Sequence, residues 1–342
     1  MFTDRRANSL ATRRTRQPWP EGKPFKILSL DGGGIKGIYT AEMLCRCEEA
    51  FSKGEPLARY FDMIAGTSTG GIIALGLGLG IPTTDITAFY RDDGRRIFPP
   101  LPGRWPGKLR QFWTWLRGPK LMHEELESAL KRRFEEHLLG ESAARLVIPA
   151  FMMPKTEIAV FKTDHHEDFR NDHLTPMWKV ARATSAAPTY LKGLEHLESG
   201  RIFIDGGVWA NNPVMVALVD ALSAYDLTFD QIDVFSIGTG NAPFELRKPD
   251  VFRGLVAWRE AIKAAMFLTT DNATAQVKLL LGPDQCLRLE PSGSEAGVEM
   301  DDYDSAFAHL PDLASRHFDL NAQGIARFFR ETVSLRERHH SG

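Results

Sequence analysis

The stretch Gly-Thr-Ser-Thr-Gly, from Gly66 to Gly70, has the G-x-S-x-G spacing of a nucleophile elbow, with Ser68 at its centre. The mostly apolar residues 61–65 predict a strand before it, and a Gly-rich apolar stretch predicts a helix after it. In such a turn the serine hydroxyl is exposed, and the residues two positions away must be small because a side chain there would clash. We therefore predict that Ser68 attacks acyl groups as a nucleophile. A serine that only shapes a tight turn stays open as the alternative.

A run of glycines follows the first predicted strand, in the stretch SLDGGGIKGIY. Gly32, Gly34 and Gly37 fit the Gly-x-Gly-x-x-Gly spacing of a dinucleotide-binding turn. That kind of site needs an acidic residue near the end of the next strand, but Asp62 lies at the start of that strand. A P-loop needs Lys and then Ser or Thr after its last glycine, whereas Gly37 is followed by Ile38. The sequence therefore disfavours both kinds of phosphate site.

The same glycines predict an oxyanion hole for a serine nucleophile. Gly33 and Gly34 have no side chains, so their N–H groups can approach the oxygen of a substrate carbonyl closely. Gly32 belongs to the same predicted set of donors, and Asp31 is interpreted as a structural residue that fixes the turn. Two interpretations of Lys36 stay open, a cation that adds positive potential to the site and a solvent-facing helix lysine.

A serine nucleophile also needs a base, which is usually histidine. None of the 10 histidines is in a Gly-rich or strand-end context, and His165 and His166, in the polar stretch TDHHEDF, are predicted to lie on the solvated surface. Asp205 follows the predicted strand 201–204, and strand ends in a parallel sheet meet at the edge that presents Ser68. An aspartate within hydrogen-bond reach of a serine can serve as its base. Asp205 is therefore the predicted base, and a simple turn aspartate is the alternative.

The order of predicted elements favours an α/β fold with a mainly parallel central sheet flanked by helices, because strand–turn–helix occurs twice near the N-terminus. We predict strands at 25–30, 61–65, 145–150, 157–162, 201–204, 232–237 and 286–289. We predict helices at 35–51, from the elbow to about residue 79, at 122–139, at 175–185 and after the pair Asn212-Pro213.

Composition and charge exclude several kinds of protein. The net charge of −2 gives no sign of a nucleic-acid-binding chain, so no DNA or RNA partner is expected. The 3 cysteines lack metal-ligand spacing, and Cys45 and Cys47 point to different faces of a predicted helix, which favours a reducing compartment and no metal site. The uncharged run 63–82 contains polar residues and six glycines, which suit a buried strand, turn and helix better than a membrane span.

Three stretches in this order, DGGGIKG at 31–37, GTSTG at 66–70 and DGG at 205–207, resemble the three signatures of the patatin-like phospholipases. The resemblance covers about residues 25–240, and MDDYDSA at 300–306 resembles the C-terminal region of the family. It implies a three-layer α/β/α fold with a nucleophile elbow. It also implies hydrolysis of carboxyl esters in lipids by a Ser–Asp dyad, without a histidine base and without a cofactor.

Carried over residue by residue, the resemblance makes Ser68 the nucleophile and Asp205 the base. It makes the loop glycines the donors of the oxyanion hole, and the other motif glycines are expected to shape the turns around them. The predicted site therefore consists of Ser68, Asp205, the oxyanion-hole residues Gly32, Gly33 and Gly34, and the motif glycines Gly37, Gly66, Gly70, Gly206 and Gly207.

The chain is predicted to have three parts. Residues 1–24 form a basic, flexible arm, residues 25–240 the catalytic domain, and residues 241–342 an extension packed on the same domain. Within the domain, residues 91–120 are predicted to form a cap or a membrane-facing insert. Aromatic and basic residues interleave in GRWPGKLRQFWTWLRGPK, which suits an anionic bilayer interface. Packing of these aromatic rings against the core stays open.

The sequence thus predicts a cytoplasmic phospholipase that acts at the membrane surface on the esters of phospholipids. The compact chain, its N-terminal arm and its modest C-terminal extension resemble the phospholipase effectors of bacterial anti-phage (CBASS) systems, which implies a cyclic-nucleotide activator and a role in antiviral defence. We find no nucleotide-binding motif beside this resemblance. An unregulated metabolic or secreted lipase and a non-catalytic lipid-binding module stay open as alternatives, and so does a homo-oligomer.

Overall fold

A computed structural model describes residues 14–99, 123–154, 157–186, 194–196, 201–240 and 255–340 of the chain. These residues form an eight-stranded sheet with helices on both of its faces. The strands are β1 Phe25–Leu30, β2 Met63–Gly66, β3 Arg145–Met153, β4 Glu157–Lys162, β5 Leu194–His196, β6 Arg201–Asp205, β7 Ile232–Ile237 and β8 Cys286–Leu289. The helices are α1 Gly37–Phe51, α2 Thr69–Gly78, α3 Thr83–Asp92, α4 Gly94–Ile97, α5 over 123–134, α6 Met177–Thr184, α7 Gly207–Ala210, α8 Val214–Ala224, α9 Leu255–Leu281 and α10 Tyr303–Ala326.

The sheet is mainly parallel, as predicted. Its strands lie in the order β5-β6-β3-β2-β1-β7-β8, and β4 pairs with β3 outside this row. Along this row, the adjacent strands β3, β2, β1, β7 and β8 are all parallel. β4 and β6 run antiparallel to β3, and β5 runs antiparallel to β6. The predicted bounds of β1, β4, β7 and β8 are confirmed residue for residue.

Two apolar cores lie on opposite faces of the sheet. In β1, Phe25 and Ile27 pack into one core and Leu28 and Leu30 into the other, and all four side chains are fully buried. Helices α1, α2 and α10 cover the core of Leu28 and Leu30, and α8 and the C-terminal half of α9 cover the other. Because both faces are covered, most residues of a central strand are apolar. The result is a three-layer α/β/α arrangement.

Strand β3, nine residues long, joins the parallel and antiparallel parts of the sheet. β2 pairs with its first residues, up to Val147, and β6 pairs with its last residues, from Ala150 onward. Both lie on the edge of β3 opposite β4, since Val147 and Ala150 also pair with β4. Because β2 runs parallel to β3 and β6 antiparallel, their carboxyl ends point towards each other across Ile148 and Pro149. Asp205, predicted to follow a parallel strand, therefore ends an antiparallel one.

The first described residues, 14–24, pack against the domain. Gln17 N–H donates to Ala224 O at 2.8 Å, and the ring of Trp19 packs edge-on against an aromatic ring of β1. This segment therefore differs from the flexible arm that was predicted to extend to residue 24. Residues 1–13 of the predicted arm lie outside the described residues.

The C-terminal part of the chain adds to the same layers. β8 extends the sheet beyond β7, and α10 packs along α1. No helix in the described part of the chain is long and apolar enough to cross a bilayer. Of the predicted cap or insert, the structure describes 91–99, which include α4. The rest of it, 100–120, lies outside the described residues, so the cap stays a prediction.

Candidate active site

Ser68 lies in the sharp turn between β2 and α2. Its backbone has φ 54° and ψ −121°, a conformation that non-glycine residues rarely adopt and that costs about 1–3 kcal/mol. The turn brings Gly66 and Gly70 so close together that a Cβ on Gly66 would lie 2.2 Å from Gly70 O. The G-x-S-x-G spacing thus has a steric cause in this turn, and the strained backbone projects the serine hydroxyl from its tip.

The hydroxyl of Ser68 is in direct contact with the carboxylate of Asp205. Ser68 Oγ donates a hydrogen bond to Asp205 Oδ2 at 2.7 Å, and Asp205 Oδ1 accepts one from Gly207 N–H at 2.7 Å. Both side chains are buried, with Ser68 6% and Asp205 4% exposed. The contact arises where β2 and β6 point towards each other, because Ser68 follows the one strand and Asp205 ends the other.

Burial raises the pKa of Asp205 to about 6, because the charged carboxylate loses its solvating water. The hydrogen bonds from Gly207 N–H and from Ser68, together with the positive charge of Arg182, act in the opposite direction. Asp205 is thus ionised at neutral pH and is a stronger proton acceptor than an exposed aspartate. A general base that works at neutral pH needs both properties.

The cation that acts on Asp205 is itself buried. Arg182 lies in α6, its side chain is 0% exposed, and its Nε donates to His123 Nδ1 at 3.0 Å. Burial lowers the pKa of Arg182 to about 10, which leaves its guanidinium charged at neutral pH. Its positive charge therefore favours the ionised form of Asp205.

The glycine-rich loop between β1 and α1 contacts Ser68, but one of its three predicted donors is already bound. Gly32 N–H donates to Asn211 O at 3.0 Å, so Gly32 is wrong as a predicted oxyanion donor. Within the described residues, no acceptor is bound to the N–H groups of Gly33 or Gly34. Gly34, with φ 60°, lines a cavity together with Ser68. Gly33 and Gly34 therefore remain the predicted donors.

Charged side chains hold both ends of this loop. Asp31 accepts two hydrogen bonds from Arg288 of β8, at 2.8 and 2.6 Å, which is the structural role predicted for it. Lys36 is buried, and its Nζ donates to Gly240 O at 2.5 Å. The solvent-facing interpretation of Lys36 is therefore wrong. Both contacts join the loop to segments more than 200 residues away in the sequence.

An apolar cavity opens beside Ser68. Its apolar lining comes from α2, α3, α4, α5 and the segment before α10 and consists mainly of Ile72, Phe89, Ile97, Phe98, Leu126 and Met300. The hydroxyl of Tyr90, which also lines the cavity, donates to Thr69 O at 3.2 Å, so its polar end is satisfied by the protein. Such a lining suits a hydrocarbon chain next to the serine hydroxyl.

Sequence reasoning missed three residues of this site. Arg182 acts on the charge of Asp205, Thr184 accepts a hydrogen bond from Ser68 N–H at 3.0 Å, and Asn211 O accepts the N–H of Gly32. Arg182 and Thr184 lie in α6, which the sequence predicted only as a helix. Near the end of this helix Arg182 and Thr184 alternate with the apolar residues Ala181 and Ala183, and this pattern was the signal that could have found them.

The histidine pair that was predicted to lie on the solvated surface is buried. His165 and His166 are 1% and 0% exposed. His165 Nε2 is hydrogen-bonded to Asp220 Oδ2 at 2.8 Å, and His166 Nε2 to Thr15 O at 2.9 Å. Among the described residues, no group of three or more His, Cys, Asp or Glu is arranged to hold a metal ion.

Known proteins are similar in sequence to this chain over about two thirds of its length. A cGAMP-activated phospholipase of Pseudomonas aeruginosa (strain BWHPSA011 / Pa011) is 34% identical over 239 residues, 69% of this chain and 68% of that protein. A cGAMP-activated phospholipase of Escherichia coli (strain TW11681) is 32% identical and covers 65% of this chain and 64% of its own length. Patatin-like protein 4 of Arabidopsis thaliana is 31% identical over 68% of this chain and 63% of its own length. The chain thus spans about two thirds of the length of these relatives.

The family model described as patatin-like phospholipase matches residues 28–218. This range includes β1, the glycine-rich loop, the elbow at Ser68 and the end of β6 at Asp205. The chain therefore belongs to the patatin-like phospholipases, a family of ester-cleaving lipid hydrolases.

Proposed function

We propose that the chain is a serine acyl hydrolase that cleaves the carboxyl esters of membrane phospholipids, with Ser68 as the nucleophile and Asp205 as the base. The observation that carries the proposal is the 2.7 Å hydrogen bond from Ser68 Oγ to Asp205 Oδ2, in a buried site beside an apolar cavity. Membership of the patatin-like phospholipases supports the class of reaction.

In the first half of the reaction, Ser68 Oγ attacks the carbonyl carbon of the ester, and its proton passes to Asp205 Oδ2 along the existing hydrogen bond. The carbonyl oxygen becomes an oxyanion, which the N–H groups of Gly33 and Gly34 stabilise. As the bond to the leaving alcohol breaks, Asp205 gives the proton to the alcohol oxygen. A lysophospholipid leaves, and the fatty acyl group remains on Ser68.

In the second half, water attacks the acyl carbon. Asp205 accepts a proton from this water, and the second oxyanion is bound by the same N–H groups of Gly33 and Gly34. The bond from the acyl carbon to Ser68 Oγ then breaks, and Oγ takes the proton back from Asp205. A free fatty acid leaves, and the serine is regenerated. Gly207 N–H holds the carboxylate in place through both halves.

The substrate class follows from the cavity and from the family. An acyl chain longer than a few carbons needs an apolar cavity next to the reacting carbonyl, and the residues from α2 to α5 provide one. We infer that the enzyme takes one acyl chain of a phospholipid out of the bilayer while it acts from the cytoplasmic surface of the membrane. A non-catalytic lipid-binding module would have no use for a buried carboxylate hydrogen-bonded to a serine in an elbow.

The proposal is tested by the release of free fatty acids from phospholipid vesicles, identified by mass spectrometry. We expect Ser68→Ala and Asp205→Asn to lower the rate by about 10³-fold or more, since each removes a group that takes part in the reaction. Ser142→Ala is the matched control, because Ser142 is likewise a buried serine and its hydroxyl donates to Ala144 O. Equal rates for the wild type and for Ser68→Ala, both with and without the cyclic nucleotides named below, would overturn the proposal.

We propose further that a cyclic nucleotide activates the enzyme in antiviral defence. The support comes from the relatives of Pseudomonas aeruginosa and Escherichia coli, which are named cGAMP-activated phospholipases. The vesicle assay should therefore run with and without cGAMP and a panel of other cyclic di- and trinucleotides. We expect one of them to raise the rate of the wild type, but not that of Ser68→Ala. A rate that no nucleotide changes would favour an unregulated lipase.

A further inference from the structure

Thr184 contacts all three segments that carry the site. Its hydroxyl accepts a hydrogen bond from Ser68 N–H at 3.0 Å and donates one to Pro149 O, in β3, at 2.6 Å. Its carbonyl oxygen accepts a hydrogen bond at 3.3 Å from Gly206 N–H, directly after Asp205. The side chain of Thr184 is fully buried. One residue thus touches the main chain of the nucleophile, the central strand and the turn of the base.

The place of Thr184 follows from the way in which β2 and β6 pair with β3. Pro149 lies between the residues that pair with β2 and those that pair with β6. Proline has no N–H, so only its carbonyl oxygen needs a partner on this edge, and the hydroxyl of Thr184 supplies it. Thr184 therefore occupies the gap between the ends of the two strands.

The next residues along the chain strengthen this arrangement. Asp205 N–H donates to Ala186 O at 3.0 Å, and Gly206 N–H donates to Thr184 O. The end of α6 thus holds the turn of the base through two carbonyl oxygens, and it holds Ser68 through one hydroxyl. Substitution can remove the hydroxyl while both carbonyl bonds remain.

We propose that Thr184 is a positioning residue that holds the strained main chain of Ser68, so that Ser68 Oγ stays on Asp205 Oδ2. The inference rests on the proposed function, because it concerns how that dyad is kept in place. Without the hydroxyl, Ser68 N–H is buried without an acceptor, and the turn, with its unfavourable φ of 54°, relaxes towards another conformation. A displacement of about 1 Å at a reacting atom lowers a rate by up to about 10²-fold.

The test compares two substitutions at Thr184, one without and one with a hydroxyl group. Thr184→Val keeps the branched side chain but removes the hydroxyl, whereas Thr184→Ser keeps the hydroxyl. We expect Thr184→Val to lower kcat on vesicles by about 10–100-fold, with KM changed by less than about threefold. We expect it to slow the labelling of Ser68 by a fluorophosphonate by a similar factor. Thr184→Ser should keep kcat within about fivefold of the wild type.

Thr163→Val is the matched control for the loss of a buried threonine hydroxyl. Thr163 is also fully buried, and its hydroxyl likewise accepts a main-chain hydrogen bond, from Leu146 N–H at 3.1 Å. We expect Thr163→Val to lower Tm as Thr184→Val does, while kcat of the folded enzyme stays at the level of the wild type. A similar loss of kcat in both variants, or none in Thr184→Val, overturns the inference.

Two further outcomes, a variant that does not fold and an inactive wild type, lead to different conclusions. If Thr184→Val does not fold, Thr184→Ala against Thr184→Ser gives the same comparison, because these two variants differ only by the hydroxyl. If the wild type neither releases fatty acid nor is labelled at Ser68, the proposed function fails and this inference fails with it. An active wild type with an equally active Thr184→Val overturns the positioning role alone.

Discussion

At the scale of single residues, the buried carboxylate of Asp205 determines how the reaction should depend on pH. Its pKa is raised to about 6, and only its ionised form can accept the proton of Ser68. We expect kcat/KM for a soluble short-chain ester to be halved near pH 6 and about tenfold lower at pH 5. A pH–rate profile measured with this ester checks the prediction. A profile that is flat down to pH 5 would mean that another group is the base.

The raised pKa also makes Asp205 a source of instability. A carboxyl group whose pKa is higher in the folded state adds stability at low pH, and this contribution is lost as the pH rises through about 6. We therefore expect Asp205→Asn to raise the free energy of unfolding by about 1–3 kcal/mol at pH 7, although it abolishes activity. The difference in unfolding free energy between Asp205→Asn and the wild type should become smaller as the pH falls from 7 to 4. Urea unfolding at several pH values measures it.

Asp164 is the control for this prediction, because its pKa shifts in the other direction. Burial raises the pKa of Asp164, but the hydrogen bond from His340 N–H and the charge of Arg336 outweigh burial and lower it. The stability from Asp164 is thus present at neutral pH and lost as the pH falls through its folded-state pKa. We expect Asp164→Asn to lower the free energy of unfolding at pH 7. A loss of stability in both variants would contradict the assignment for Asp205.

At the scale of elements, the edge strand β8 holds the loop that carries the predicted oxyanion donors. Arg288, on β8, forms two hydrogen bonds with Asp31 at the start of this loop, and both side chains are almost fully buried. Removal of one member of a buried ion pair typically costs about 3–5 kcal/mol, because the other charge stays buried alone. We expect Arg288→Met to lose stability in this range and to lower kcat, since Gly33 and Gly34 follow Asp31 directly.

A double-mutant cycle separates the ion pair from the general loss of packing. We expect the variant with both Asp31→Asn and Arg288→Met to be more stable than Arg288→Met alone, because it removes the buried carboxylate of Asp31 that Arg288→Met leaves without its cation. Urea unfolding of the wild type, both single variants and the double variant gives the four free energies. Strictly additive losses would show that the pair does not anchor the loop.

The sequence predicted the elements of the site well and their directions less well. β1, β4, β7 and β8 have the predicted bounds because apolar runs between turn residues mark buried strands clearly. The predicted direction of β6 was wrong, because whether a strand runs parallel or antiparallel to β3 depends on contacts between residues far apart in the sequence. Gly32 was wrong as a donor for the same reason, since its acceptor is Asn211.

At the scale of the whole molecule, both ends of the described chain meet at the segment that contains His165 and His166. Thr15 O is hydrogen-bonded to His166, and Arg336 NH1 donates to Asp164 Oδ1 at 2.6 Å. The polar stretch TDHHEDF is typical of a surface loop, but its first four residues, 163–166, are buried because segments about 150 and 170 residues away cover them. No local pattern contains this information, so the sequence could not reveal it.

The contact between the C-terminal segment and the segment that contains His165 and His166 should depend strongly on Arg336. Its side chain is 1% exposed, and besides Asp164 it binds Ser142 O at 2.8 Å. We expect Arg336→Met to lower the free energy of unfolding by about 3–5 kcal/mol, because Asp164 stays buried without its cation. Arg338→Met is the matched control. Within the part of the chain that the structure describes, exposed Arg338 makes one long hydrogen bond, at 3.2 Å, to Glu141 O, and we expect a change within about 0.5 kcal/mol. Similar losses in both variants would contradict this account.

Because β2 and β6 meet end to end along β3, the way they pair with β3 affects the distance between Ser68 and Asp205. Two residues, Ile148 and Pro149, separate the last partner of β2 from the first partner of β6. At about 3.3 Å per residue, a slip of β6 by two positions would carry Asp205 about 7 Å away from Ser68, and a slip by one would turn the carboxylate to the other face of the sheet. Strand pairing, together with the turn at Ser68, therefore sets the distance between the nucleophile and the base.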